Sequence, residues 1–170
     1  MEVRYPSESR TILTDLVLPG ETNPLNNLFG GELLARMDRA AGIAAGRHSR
    51  RIVVTASVNH VAFNKAIPLG SVVTVEAKVS RAFKSSMEVV IDVWIEDRQS
   101  GDKTRANEAI YTFVAVNESG APVMTIPQIK PETKLEQERF EGALRRKQLS
   151  LVLAGKMKPD DATELKALFT

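Results

Sequence analysis

What most constrains this chain is the succession of two patterns: one helical stretch built largely from small residues, then four long stretches of two-residue alternation. After Phe29 the sequence runs Gly30-Gly31-Glu32-Leu33-Leu34-Ala35-Arg36-Met37-Asp38-Arg39-Ala40-Ala41-Gly42-Ile43-Ala44-Ala45. Leu33, Leu34, Met37, Ala41 and Ala44 recur there at helical spacing, which predicts one strong helix. The stretch from Ile52 to Phe63 then sets Val53, Thr55, Ser57 and Asn59 against Val54, Ala56, Val58 and His60. Ser71 to Arg81 alternates through Val73, Val75, Ala77 and Val79, Met87 to Ile95 through Val89, Ile91 and Val93, and Asn107 to Asn117 through Ala109, Tyr111, Phe113 and Ala115. A period of two means strands with one buried face each. A shorter β-type run from Arg10 to Leu18, ended by Pro19-Gly20, precedes the helix. The predicted plan is α+β: a curved antiparallel sheet wrapped around one long central helix, thin enough at Ala40, Ala41, Gly42, Ala44, Ala45 and Gly46 to be closely surrounded.

With 170 residues the chain is about one domain's worth. A charged C-terminal tail is set off by Pro127 and Pro131, with charge concentrated from Glu132 to Lys147 and a short amphipathic helix expected over Pro159 to Leu168. No apolar run approaches the roughly 18 residues of a membrane-spanning helix. The opening MEVRYPSESR shows no apolar segment after a basic start, so no export leader and a cytoplasmic setting are expected. The absence of cysteine excludes disulfides, thiolate metal sites and a cysteine nucleophile. The 23 basic and 21 acidic residues balance too evenly for a dedicated nucleic-acid binder. Two local basic clusters, Arg47-His48-Ser49-Arg50-Arg51 and Arg145-Arg146-Lys147, could each hold a small polyanion or be solvated surface.

Three features could carry chemistry. Gly30 and Gly31 at a helix start would leave N–H groups free for an oxygen developing negative charge, although glycines there also serve packing and turns. Asp38 has Leu34, Ala35, Ala41 and Gly42 as its helix neighbours, an unusual place for aspartate, open to a catalytic or a structural reading. Asn23, in the loop before the helix, has an amide able to donate and accept, or is an ordinary turn residue.

Taken in order, Thr22-Asn23, Asn27-Leu28-Phe29-Gly30-Gly31, Asp38, Val53-Val54-Thr55-Ala56-Ser57, Phe63, Pro68-Leu69-Gly70, Ser85-Ser86-Met87 and Thr112-Phe113-Val114-Ala115-Val116-Asn117 resemble the hotdog-fold acyl-CoA thioesterases. The resemblance spans about residues 10 to 147, with Asn26 and Lys84 where many relatives have glycine and Asn59 where they have an acidic residue. It implies a hotdog domain over residues 8–126 and a helical extension over 127–170. It further implies dimers with a continuous sheet, assembling as a trimer of dimers, with active sites between subunits. Asn23 of one subunit and Asp38 of the other would face the thioester, and the Gly30 and Gly31 amides would receive its carbonyl oxygen. Asp38 would act as general base or as nucleophile, with no cofactor or metal and coenzyme A only as part of substrate and product. Its nucleotide end is expected on Arg50 and Arg51 or Arg145 and Arg146, with Ser85 and Ser86 near the pantetheine path.

A dehydratase of the same fold would need a histidine near the helix start, whereas His48 is expected beyond the helix and His60 lies in a strand. With about ten residues before the first strand, no DNA-binding module of a transcriptional sensor is expected. A module that binds acyl-CoA without turnover is the remaining alternative.

Overall fold

The computed structural model describes residues 1–170. Short elements come first: β1 (Val3–Arg4), α1 (Pro6–Ser9) and β2 (Thr11–Leu16). The long helix α2 (Gly30–Ser49) follows, then β3 (Ile52–Ala62), β4 (Val72–Ala82), β5 (Ser86–Glu96) and β6 (Lys103–Val116). A two-residue strand β7 (Gln128–Ile129) pairs with β1, and α3 (Lys134–Leu153) and α4 (Thr163–Lys166) close the chain. The main sheet has the order β2-β4-β5-β6-β3 and is antiparallel throughout. No helix is long and apolar enough to cross a membrane.

The alternation in the sequence becomes the inner face of this sheet. Val73, Val75, Ala77 and Val79 of β4, Met87, Val89, Ile91 and Val93 of β5, and Ala109, Tyr111, Phe113 and Ala115 of β6 are all buried. They meet Leu33, Met37, Ala40, Ala41, Ala44 and Ala45 of α2 in a single core. The helix runs further than its apolar spacing suggests. His48, expected beyond it, lies buried in its last turn, and the helix stops where Arg50 takes a left-handed conformation, φ 56°. The Arg50 N–H closes that end on the Gly46 carbonyl at 2.8 Å.

The edge strand β3 behaves differently from the inner strands. It pairs only with β6, through two register shifts, and its side chains are mostly exposed. Its alternation therefore does not convert into burial within one chain: Ile52, Val54, Val58 and the following Phe63 are each about half exposed.

The outer face of the sheet is covered by α3, attached chiefly through charge. Its N-cap is a reciprocal box: Thr133 Oγ1 accepts from the Glu136 N–H while the Glu136 carboxylate receives the Thr133 and Glu132 N–H groups. Burial works against ionising Glu136, but those N–H groups and Lys78 outweigh it and hold its carboxyl below the usual range. Arg139 pairs with Asp92 at 2.9 Å, and Arg146 grips Glu88 with Nε and Nη2, each at 2.8 Å. The amphipathic helix expected over Pro159 to Leu168 is instead α4 flanked by two 3-10 turns. Only Ala162 is buried there, so little tertiary packing sustains a longer helix.

The Glu88 side chain is only 5 % exposed, so removing Arg146 leaves a buried carboxylate without its cation. Arg146→Met should lower the unfolding free energy by about 3 kcal/mol. Denaturant unfolding measures this, and the Arg146→Met, Glu88→Met pair should recover most of the loss.

Candidate active site

The loop that carries Asn23 is tied to α2 by an ion pair. Arg36, buried on the helix, donates Nη2 to the Leu16 carbonyl and to both carboxylate oxygens of Glu21. Glu21 is held below the usual carboxylate range by the Leu18 N–H and then by Arg36. Backbone bonds fasten the rest: Phe29 N–H to Glu21 O at 2.8 Å, Leu28 N–H to Ile67 O at 2.7 Å, and Leu69 N–H to Asn26 O at 2.8 Å. Asn26 sits at φ 58°, a left-handed conformation that asparagine tolerates better than most side chains.

Within this loop Asn23 spends its acceptor on its own turn. Oδ1 receives the Leu25 N–H at 3.0 Å and the Asn27 N–H at 3.1 Å. The sequence allowed an amide that both donates and accepts. The fold leaves chiefly the Nδ2 donor, so Asn23 is a turn residue and still has a free N–H pair.

At the start of α2, Phe29 offers no side-chain cap, and its carbonyl takes the N–H groups of Glu32 and Leu33. The Gly30 and Gly31 N–H groups donate to no acceptor in the chain. These are the free donors a helix start presents. A Cβ on Gly31 would stand 3.0 Å from the Phe29 ring, so glycine also answers a packing demand at that position.

Asp38 lies just over two turns further along. It is half-buried, and its Oδ1 accepts from Thr55 Oγ1 at 2.6 Å, which joins α2 to the edge strand β3. Leu34, Ala35, Val58, Phe63 and Tyr111 complete an open groove of about 390 Å³ around it. Tyr111 donates from its hydroxyl to the Leu34 carbonyl at 3.0 Å. Burial, and then the Asp38 charge, push the phenol up to about 12, so it remains a donor at neutral pH. A second hollow of about 310 Å³ opens in front of the helix start, lined by Asn23, Gly30, Leu33, Phe63, Ile67 and Asn107 among others. Phe63 is the wall the two hollows share. In the sequence Thr55 stands out only as part of a motif and Tyr111 only as a core position. Their roles beside Asp38 come from the strand–helix register.

The expected nucleotide-binding residues separate into two groups. Arg50 and Arg51 line a hollow of about 690 Å³ with Arg4, Thr125 and Pro127, at the far end of α2 from Gly30. At 1.5 Å per residue the helix sets those ends roughly 30 Å apart. Ser86 pairs with Val114 and Val114 with Val54, so Ser85 and Ser86 lie at the same end of the sheet as Arg51. In α3, Arg146 is engaged with Glu88, Arg145 is half-buried without an acidic partner, and Lys147 rests 3.8 Å above the Phe83 ring. Near the first group, His48 contacts the Pro127 carbonyl at 2.7 Å through Nε2, and burial lowers its pKa below the ordinary value.

The family described as Thioesterase superfamily matches residues 25–101. The uncharacterized acyl-CoA thioester hydrolase YkhA of Bacillus subtilis is 39% identical over 145 residues, which is 85% of this chain and 84% of that protein. The chain belongs to the thioesterase superfamily, whose fold is the hotdog.

Among solved structures, an apo-hexameric acyl-CoA thioesterase aligns with a TM-score of 0.87 at 37% identity, covering 91% of this chain and 98% of that one. The acyl-CoA hydrolase of Staphylococcus aureus, in complex with butyryl coenzyme A, coenzyme A and its disulfide, aligns with a TM-score of 0.82 at 33% identity, covering 97% and 99%. That enzyme has also been solved as single alanine variants at an asparagine, an aspartate and a threonine. In chain order and spacing, those three positions repeat Asn23, Asp38 and Thr55 of this sequence.

Proposed function

We propose that this chain hydrolyses acyl-CoA thioesters to the free acid and coenzyme A, with Asp38 as general base. The observation that carries the reading is a pair of unpartnered N–H groups at Gly30 and Gly31, at the Asn23 hollow, together with a Thr55-held carboxylate in the next hollow, two turns along the helix, so that the amides of one subunit would work with Asp38 of the other. The thioester carbonyl oxygen sits at the Gly30 and Gly31 amides, where a fixed dipole meets the charge that develops there. Asp38, with one oxygen on Thr55, uses the other to take a proton from water as the water oxygen adds to the carbonyl carbon. Collapse of the tetrahedral intermediate expels the coenzyme A thiolate, which takes the proton back, and no cofactor takes part. Asn23 supplies an N–H from Nδ2 to orient the water or the thioester. The site residues all fall within residues 8–126, which we assign as the catalytic domain, with 127–170 as the extension on the outer face. Asp38→Asn should lower turnover by about 10²–10⁴. Thr55→Val should cost about tenfold, the worth of one hydrogen bond to a charged group. In a single turnover in ¹⁸O-water the label should enter the acid product only; label in the Asp38 carboxylate would instead mark it as the nucleophile.

The assembly is proposed to be a dimer paired along β3, carried further to a trimer of dimers. An edge strand with half-exposed Ile52, Val54 and Val58 is a surface that proteins ordinarily cover. In one chain Asn23 and Asp38 line different hollows, which supports a site completed by Asn23 of one subunit and Asp38 of the other. Sedimentation should find no active species at the 18.7 kDa of the single chain.

For the nucleotide phosphates the arrangement favours Arg50 and Arg51, which share one end of the sheet with Ser85 and Ser86, over Arg146, which is spent on Glu88. Charge reversal at Arg50 and Arg51 together should raise KM for acyl-CoA by about tenfold or more and leave it unchanged for an acyl-pantetheine thioester, with turnover at saturation preserved.

A further inference from the structure

His48 has no part in the proposed hydrolysis, yet it is buried, 1 % exposed, in the last turn of α2. Its Nε2 lies 2.7 Å from the Pro127 carbonyl. A carbonyl only accepts, so Nε2 carries the proton of the neutral ring. Nδ1 is then a bare acceptor, buried with no partner. A second proton would go to Nδ1 and find no acceptor there.

One cation already occupies the end of α2. From β1, Arg4 donates Nη1 to the His48 carbonyl at 2.7 Å and to the Arg47 carbonyl at 3.2 Å, where a helix end favours positive charge. Arg47 itself is turned away, to the Arg10 carbonyl and the Thr11 hydroxyl. Burial opposes a positive His48 ring most and Arg4 opposes it too, while Glu8 of α1 and Glu2, the partner of Arg4, favour it, each by less than Arg4 opposes. β1 is lightly fastened: it is two residues long, Val3 is half exposed, and its bonds to β7 include Gln128 N–H to Glu2 O and Lys130 N–H to Arg4 O, each 2.9 Å. Glu2 and Arg4 also line the hollow of about 690 Å³ shared with Ser49, Arg50 and Arg51.

We infer that His48 is an acid-sensitive latch: protonation of its ring releases β1 from the end of α2 and opens the hollow beside Arg50. Once Arg4 has left, the charged ring takes over the cation's place in the last turn of the helix. The closed form favours the neutral ring, so the latch holds fully above the ordinary histidine value of 6.5 and weakens as pH falls through it. The latch acts whatever ligand the hollow takes.

Amide hydrogen exchange on the full chain reads the release, as protection factors that allow for the pH dependence of chemical exchange. Between about pH 7.5 and about pH 5.5 the protection of the Gln128 and Lys130 amides should fall by about threefold or more, as opening with uptake of one proton requires. In His48→Gln, whose amide can donate to Pro127 but gains no proton, both should stay constant over that range. Protection that holds constant in the wild type, or falls equally in the variant, would overturn the inference. Should the variant fold poorly, the wild-type protection and the ring itself decide. Nitrogen NMR of the wild type should show His48 neutral with its proton on Nε2 at about pH 7. A ring already charged there, or carrying its proton on Nδ1, would overturn the inference as well.

Discussion

The structure depends on how closely a helix can approach the inside of a curved sheet. Ala40, Ala41, Ala44 and Ala45 have no exposed surface at all, and opposite them stand Met87, Val89, Ile91 and Val93, also fully covered. Small residues on the helix and larger ones on the strands fill the space between backbones that lie near each other, as close packing requires. At Gly42 an added Cβ would meet the Phe113 ring at 3.6 Å, so even the glycine abuts the sheet. This packing fixes the helix in rotation as well as in place. With Met37 and Ala41 turned into the core, Asp38 is carried to the border of the buried stripe, where Thr55 of the edge strand reaches it. The free N–H groups at Gly30 and the half-buried carboxylate are thus consequences of one rigid element.

The outer face of the sheet is held by different physics. Glu88 alternates with apolar neighbours along β5 and reads as a solvent-facing position, yet it is almost fully buried beneath α3. It is tolerated because Arg146 meets it with two nitrogens and Ser80 donates to it as well. Such a pair adds less stability than its geometry suggests, since both groups lose water, but it makes the docking of α3 specific to one register. The extension therefore covers β4 and β5 through matched charges at Lys78, Glu88 and Asp92, with limited apolar contact.

The parts legible in the sequence are those set by local pattern. Period-two alternation placed the inner strands, helical spacing placed α2, and the isolation of Asp38 among small residues marked it as unusual. The box formed by Thr133 and Glu136 was equally local and readable in principle, since a threonine three residues before a glutamate is a helix-start signature. What could not be read were contacts between elements far apart in the chain: Thr55 with Asp38, Asn64 with Asn107, Arg146 with Glu88. Each depends on a register that side-chain chemistry alone does not encode. Asn23 shows the same limit at short range. Its residue type permits either a turn or a catalytic amide, and only the loop conformation shows Oδ1 committed to the turn.

The edge strand β3 bears on both the sheet and the site. β3 has no fully buried residue, and it also carries the hydroxyl that holds Asp38. Strands with an open edge and few buried contacts are the first to fray, so a bond anchored on one is only as rigid as that edge. Covering β3 lowers the freedom of Thr55 and, through it, of the carboxylate, while it also buries Val54 and Val58. The groove around Asp38 includes Val58 and Phe63, so the surface that would be covered is continuous with the surface that would hold substrate. Covering this strand and steadying the Asp38 carboxylate would therefore be one physical event.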